Sequence, residues 1–218
     1  MTEARKPRPL DVAALIGVGL VSLVLTTTVN RAAGRLLDDV LPRFDWIADA
    51  AVPSCLACLL IYLACAPARP FAAPDRNTDW RSIARLSAGW LTIWLLFSVA
   101  LPSALGHLTA YTHGAANIAA FVVFGVIGEE LLFRGAIFEL AQRVRPGSEW
   151  FPIGLSTVFY SLHHFDLNHF RATPFALLQV GFTLPMGLVF ATLRSRSGSL
   201  WPGAALHVLT NLPGIFGA

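Results

Sequence analysis

The sequence is short of charge. Only 13% of its 218 residues are Asp, Glu, Lys or Arg, while 55% are hydrophobic; an ordinary soluble domain carries roughly 25% charged residues. That leaves too few polar side chains to cover a globule in water, and a mean hydropathy of +0.61 agrees. A water-soluble enzyme is therefore not expected, and lipid is the expected solvent.

Cysteine is scarce as well. The three present, Cys55, Cys58 and Cys65, fall in one apolar run and cannot make a complete disulfide framework. Their spacing resembles a redox or zinc CxxC only superficially. On a helix they share one stripe, where small polarizable side chains let neighbouring helices approach. No HExxH zinc signature occurs. Basic clustering is missing too: the net charge is +3 and the pI about 9.1, but the 16 Lys and Arg are scattered between apolar runs. Nucleic acid is thus not an expected partner, and the basic residues are read as setting orientation in a membrane. Internal repeats, heptads and low-complexity segments are likewise absent from the pattern.

Long apolar runs dominate what remains. A hydrocarbon core of roughly 30 Å needs about 20 apolar residues per helix. Seven runs are candidates: Leu10–Val29, Ile47–Ala66, Ile83–Leu105, Ala115–Val144, Trp150–His164, Pro174–Leu193 and Leu200–Phe216. The expected fold is all-α, a polytopic membrane helix bundle of about seven transmembrane helices forming one domain over residues 1–218, with a motif-bearing core over about 115–216. The first run follows Arg5, Lys6 and Arg8, as a signal peptide would, but is longer than a typical h-region and reads as an uncleaved anchor. Trp80, Trp90 and Trp94 are available as interfacial or packing aromatics. Pro67, Pro70 and Pro74 mark a loop over Pro67–Asp79.

Alternate loops differ in basic content, which sets the orientation. Arg5, Lys6 and Arg8, then Arg69, Arg76, Arg81 and Arg85, then Arg143 and Arg145, then Arg194 and Arg196 fall on one side. The opposite segments hold Arg31, Arg35, Arg43 and Arg171, diluted by Asp38, Asp39 and Asp45. The N-terminus is expected in the cytoplasm and the C-terminus outside.

Ionisable side chains at membrane depth cost about 2.5–3.5 kcal/mol each on insertion scales, so those present are functional candidates. Three segments carry them. In Gly128-Glu129-Glu130-Leu131-Leu132-Phe133-Arg134, an α-helix puts Glu130 and Arg134 on one face and Glu129 about 100° round. Glu130 and Arg134 could simply neutralise each other, which leaves Glu129 unexplained. The second segment, Phe159-Tyr160-Ser161-Leu162-His163-His164, sets an aromatic one turn before each histidine. A metal cluster of His163, His164, Asp166 and His169 is a weak alternative, since the last two sit in a polar stretch. Ser161 is two residues from His163, on the wrong side of a helix for a Ser–His pair. The third segment aligns His207 with Asn211 four residues on, either as an oxyanion clamp or as an interhelical hydrogen-bond pair. At about 1.5 Å per residue, Glu129 lies roughly 21 Å, His163 roughly 20 Å and His207 roughly 12 Å from the start of its run, so all three can converge inside a bilayer.

In these three segments the chain resembles the CPBP or Abi family of intramembrane proteases, which includes type II CAAX prenyl endopeptidases and bacteriocin-processing or immunity proteins. The family's EExxxR pattern is matched by Glu129, Glu130 and Arg134, its FxxxH by Phe159 and His163, and its HxxxN by His207 and Asn211, in order over about Phe121–Leu212. The resemblance implies an intramembrane endopeptidase. Glu129 would activate water, His163 would assist, His207 and Asn211 would hold the oxyanion, and Glu130 and Arg134 would orient the site. It implies no cofactor, with a zinc enzyme as the rival mechanism. The expected partners are a membrane-associated protein or peptide substrate and the lipid bilayer, with no nucleic acid, and the expected location is a prokaryotic cytoplasmic membrane. From other classes, a non-catalytic immunity or binding protein leaves Glu129, His163 and His207 idle, and a proton-carrying transporter gives His207 and Asn211 no role.

Overall fold

The computed structural model describes residues 8–40, 46–65, 73–100, 121–165 and 174–211. Among them are seven helical stretches and no strand. They are α1 (Pro9–Val40), α2 (Trp46–Cys65), α3 (Trp80–Ala100), α4 (121–144), α5 (Trp150–His163), α6 (Pro174–Ser197) and α7 (Trp201–Asn211).

Local chemistry accounts for the helix starts. Proline opens α1, where its missing N–H costs nothing, and Arg8 pairs with Asp11 in the first turn at 2.8 Å. Asp79 Oδ1 accepts the N–H groups of Arg81 and Ser82, each at 3.1 Å, at the head of α3. Ser148 Oγ accepts the Phe151 N–H and Ser199 Oγ the Trp201 N–H, so a serine oxygen also meets a first-turn donor of α5 and of α7. Gly198, at φ 66, makes the turn between α6 and α7; a side chain there would also strike the Asp75 carboxylate.

The first helix departs from expectation. It continues through Arg31, Arg35, Asp38 and Asp39, which the charge pattern had put in a loop. No proline intervenes before Pro42 to stop it. The expected third and fourth runs extend into residues 101–120, and the last run into 212–216; these parts lie outside the described residues, as do Asp166 and His169.

Glycines and aromatics set how the helices pack. At Gly135 of α4 a β-carbon would collide with the Tyr62 ring of α2, and at Gly128 it would come within 3.1 Å of Cys55 Cα. The cysteine-bearing face of α2 therefore lies directly on α4. Phe159 of α5 presses on Gly19 of α1. Trp90 and Trp94 are buried and pack on Phe182 of α6, at 5.6 and 4.8 Å between ring centres, while Trp90 Nε1 donates to Thr210 Oγ1 of α7 at 3.1 Å. Pro185 removes one backbone donor from α6. Nearby carbonyls are met by hydroxyls, with Ser161 donating to Val180 O and Thr183 to Gln179 O, each at 2.8 Å.

Outward-facing side chains are strongly apolar. Ile16, Leu20 and Val24 on α1 and Val52, Leu56, Leu60 and Leu63 on α2 form exposed stripes at helical spacing, joined by Ile93, Leu95 and Leu96 on α3. Even so, among the described residues no helix is long and apolar enough to cross a membrane. With 14 and 11 residues, α5 and α7 fall short of the roughly 20 that a span requires.

Candidate active site

The glutamate-bearing segment is not a plain α-helix. Residues Phe121–Gly125 and Glu130–Ile137 wind as π-helix around the short α-turn Val126–Glu129, and Phe138–Val144 returns to α. In the wider coil each bond reaches five residues back, as the Phe138 N–H does to Phe133 O. Other helices hold this coil by its carbonyls: Ser156 Oγ of α5 donates to Phe133 O at 2.9 Å, and Arg194 Nε of α6 donates to Arg134 O at 3.3 Å. Arg194 also pairs with Glu139, anchoring the exit of the coil. The 100° separation expected between Glu129 and Glu130 assumed an α-helix, and the π-coil replaces it at that junction.

Both carboxylates reach one imidazole. Glu130 is fully buried, and its Oε1 stands 3.0 Å from His207 Nδ1 and 3.3 Å from Arg134 Nη1. Glu129 is partly exposed, and its Oε2 lies 3.7 Å from the other nitrogen, Nε2. An ionised carboxylate only accepts, so with Glu130 ionised His207 carries its hydrogen on Nδ1. In the neutral ring Nε2 is then an acceptor, and the Tyr160 hydroxyl lies 3.2 Å from it.

Arg134 is the largest fully buried side chain. It sits at the ion-pair distance from Glu130 without hydrogen-bond alignment, and its Nε and Nη1, like Glu130 Oε2, have no hydrogen-bond partner among the described residues. Aromatic faces take their place. The guanidinium carbon lies 4.0 Å from the Tyr160 ring centre and 5.3 Å from that of Phe190, two cation–π contacts strengthened by burial. Gly203 of α7 makes room for the carboxylate: a β-carbon there would stand 3.2 Å from Glu130 Oε2.

The two histidines of α5 flank this group. His163 directs Nδ1 to Ser22 O of α1 at 2.7 Å, rests on the edge of Phe133 and lies within electrostatic reach of Glu129. His164 ends the helix, with Nδ1 on Tyr160 O at 2.8 Å and its ring 4.7 Å from that of Tyr160. Asn211 closes α7 half-buried, and among the described residues no hydrogen bond joins it to the cluster. Hydrogen bonds and ion pairs thus unite Glu129, Glu130, Arg134 and His207, with His163 and Asn211 at the margin. Tyr160 escaped the sequence reading, where it served only as an aromatic partner for His164. Its position three residues before His163 was the available signal. Among the described residues no three His, Cys, Asp or Glu side chains are grouped as a metal ion would need.

All six expected site residues lie inside one match to a known family. Residues 90–213, more than half of the chain, match the family model described as Rce1-like, type II CAAX prenyl endopeptidase. The chain belongs to this family. The Rce1-like match makes it a member of a peptidase family, and it spans the EExxxR, FxxxH and HxxxN segments together. No curated protein and no solved structure matches the chain.

Proposed function

We propose that this Rce1-like protein is an intramembrane endopeptidase that hydrolyses a peptide bond of a membrane-associated protein or peptide, using water activated by Glu129. The observation that supports this most strongly is the division of labour between the adjacent glutamates around His207. Glu130 is enclosed and bound to His207 and Arg134, whereas Glu129 keeps 23% of its side chain accessible, at 3.7 Å from the same ring. The enclosed carboxylate can orient the imidazole, and the accessible one can meet water.

In this reading Glu129 takes a proton from water as the water attacks the scissile carbonyl, and returns it to the leaving amine. His163, fixed at Nδ1 by Ser22 O, helps to hold the water. His207 and Asn211 supply hydrogen bonds to the oxyanion. For this His207 enters the step as the imidazolium, having taken a proton from solvent at Nε2; that N–H passes from the Tyr160 hydroxyl to the oxyanion, and the Glu130 carboxylate at Nδ1 balances the charge. Arg134, 3.3 Å from Glu130, in turn holds that carboxylate in place.

The apolar stripes on α1, α2 and α3 support residence in a bilayer, since a water-soluble monomer rarely exposes contiguous apolar patches of that extent. The membrane also supplies the substrate, and a prenylated CAAX-type segment fits a family of type II CAAX prenyl endopeptidases. The deciding experiment is cleavage of a prenylated CAAX-type peptide by the purified protein in lipid nanodiscs. Glu129→Gln, nearly isosteric but unable to accept the proton, should insert normally and lose cleavage. Retention of more than about a tenth of the activity would remove Glu129 as the base, because a general base contributes about a hundredfold or more.

A further inference from the structure

Tyr160 is engaged on every side of its side chain. It is fully buried, its hydroxyl meets His207 Nε2 at 3.2 Å, and its ring face carries the Arg134 guanidinium at 4.0 Å. Its ring also meets Phe133 at 5.4 Å and His164 at 4.7 Å, in edge-on contacts. The phenol touches both ends of the Arg134–Glu130–His207 array, at the guanidinium and at the far nitrogen of the imidazole.

Resting on the peptidase reading above, we propose that Tyr160 is a positioning residue of the reaction, whose hydroxyl fixes the tautomer and ring orientation of His207. The argument is one of donor and acceptor inventory. Glu130 at Nδ1 and Tyr160 at Nε2 occupy the two in-plane directions of the imidazole, so the ring cannot flip without breaking two buried hydrogen bonds. A phenol both donates and accepts, unlike the carboxylate opposite. It donates to Nε2 while the ring is neutral, accepts from Nε2–H when the ring is protonated and no oxyanion is bound, and releases that N–H once the oxyanion takes it. One hydroxyl therefore follows His207 through both of its states without any movement of heavy atoms.

The ring has a separable task, because Phe would preserve the cation–π contact with Arg134 and remove only the hydroxyl. Tyr160→Phe in the full chain should lower kcat about tenfold, the scale of one lost hydrogen bond, and leave KM within about twofold. The second measurement needs no substrate. With histidine labelled in 15N and the His207 signals assigned by their loss in His207→Gln, Tyr160→Phe should shift the Nε2 resonance and redistribute the hydrogen between Nδ1 and Nε2. A phenol that only packs, with no bond to Nε2, would leave both kcat and this resonance as in the parent, and a bond that serves structure alone would shift the resonance and leave kcat unchanged. An unshifted resonance overturns the proposal, and so does a shifted resonance with unchanged kcat. If the parent protein fails to cleave, the peptidase reading falls, and the positioning claim for the reaction falls with it. If the parent cleaves and only Tyr160→Phe departs from expectation, the peptidase reading stands alone.

Discussion

Glu130 Oε1 meets His207 Nδ1 at 3.0 Å across 77 positions of sequence, and neither side chain has appreciable contact with solvent. Leaving a charged partner behind in such a place is costly, typically about 3–5 kcal/mol when one member of a buried pair is removed. Glu130→Ala strips Arg134 of its counter-charge and His207 of its acceptor together. We expect a loss of stability on that scale, read as a lower midpoint of thermal unfolding in detergent. Glu129→Ala removes a partly exposed group and should change the midpoint far less. Equal shifts for the two variants would contradict the roles assigned to these neighbours.

The histidines of α5 give a second test. His163→Ala should cost about a hundredfold or more in rate, the usual scale for an acid–base group, and His164→Ala far less. His164 ends the helix and bonds back to Tyr160 O, a contact that serves local structure. The reverse order of effects, in variants that insert normally, would transfer the assisting role to His164.

Gly203 offers a steric test. Alanine favours the helix by about 1 kcal/mol over glycine, yet the added β-carbon would stand 3.2 Å from Glu130 Oε2. The propensity gain and the crowding oppose each other in stability, whereas in activity only the crowding acts. Gly203→Ala should thus unfold near the parent temperature while cleaving several-fold more slowly, and Gly203→Val should be inactive. Full activity in the valine variant would show that Glu130 has room to move.

Metal dependence separates the two mechanisms. Glutamate-activated water predicts no stoichiometric zinc in the purified protein and little loss of cleavage after dialysis against a chelator. A loss that zinc restores would favour the metalloprotease alternative.

Much of the site was legible because its members recur at helical spacing within short segments. Glu130 with Arg134 can be paired by counting alone, whereas the same spacing between His207 and Asn211 brings no hydrogen bond from Asn211 to the cluster among the described residues. The π-coil could not be counted. It depends on donors from other helices, Ser156 to Phe133 O and Arg194 to Arg134 O, which no local pattern in 121–144 announces. Tyr160 was hidden for a related reason: a tyrosine in an apolar run looks like packing until the helix that faces its hydroxyl is known. The all-helical class followed from composition and run length. The extent of α1 did not, because charge in a helix and charge in a loop read alike without a proline or glycine to divide them.

The pairing of Arg134 with Glu130 has a consequence for how the chain is made. Residues emerge from the ribosome in order, so α4 is complete before Arg194, which grips its backbone, and before His207, which completes its charge array. Throughout that interval Glu130 has its own i,i+4 partner to hand, whereas Glu129 has none at that spacing on its own helix. On the proposed roles, the salt bridge assigned to orient the finished centre would also act earlier, as an escort for a carboxylate and a guanidinium waiting for helices not yet synthesised. Arg134→Ala would accordingly expose the newborn protein to quality control at a stage when the mature contacts offer no help, and its yield should fall further than its folded-state stability alone predicts.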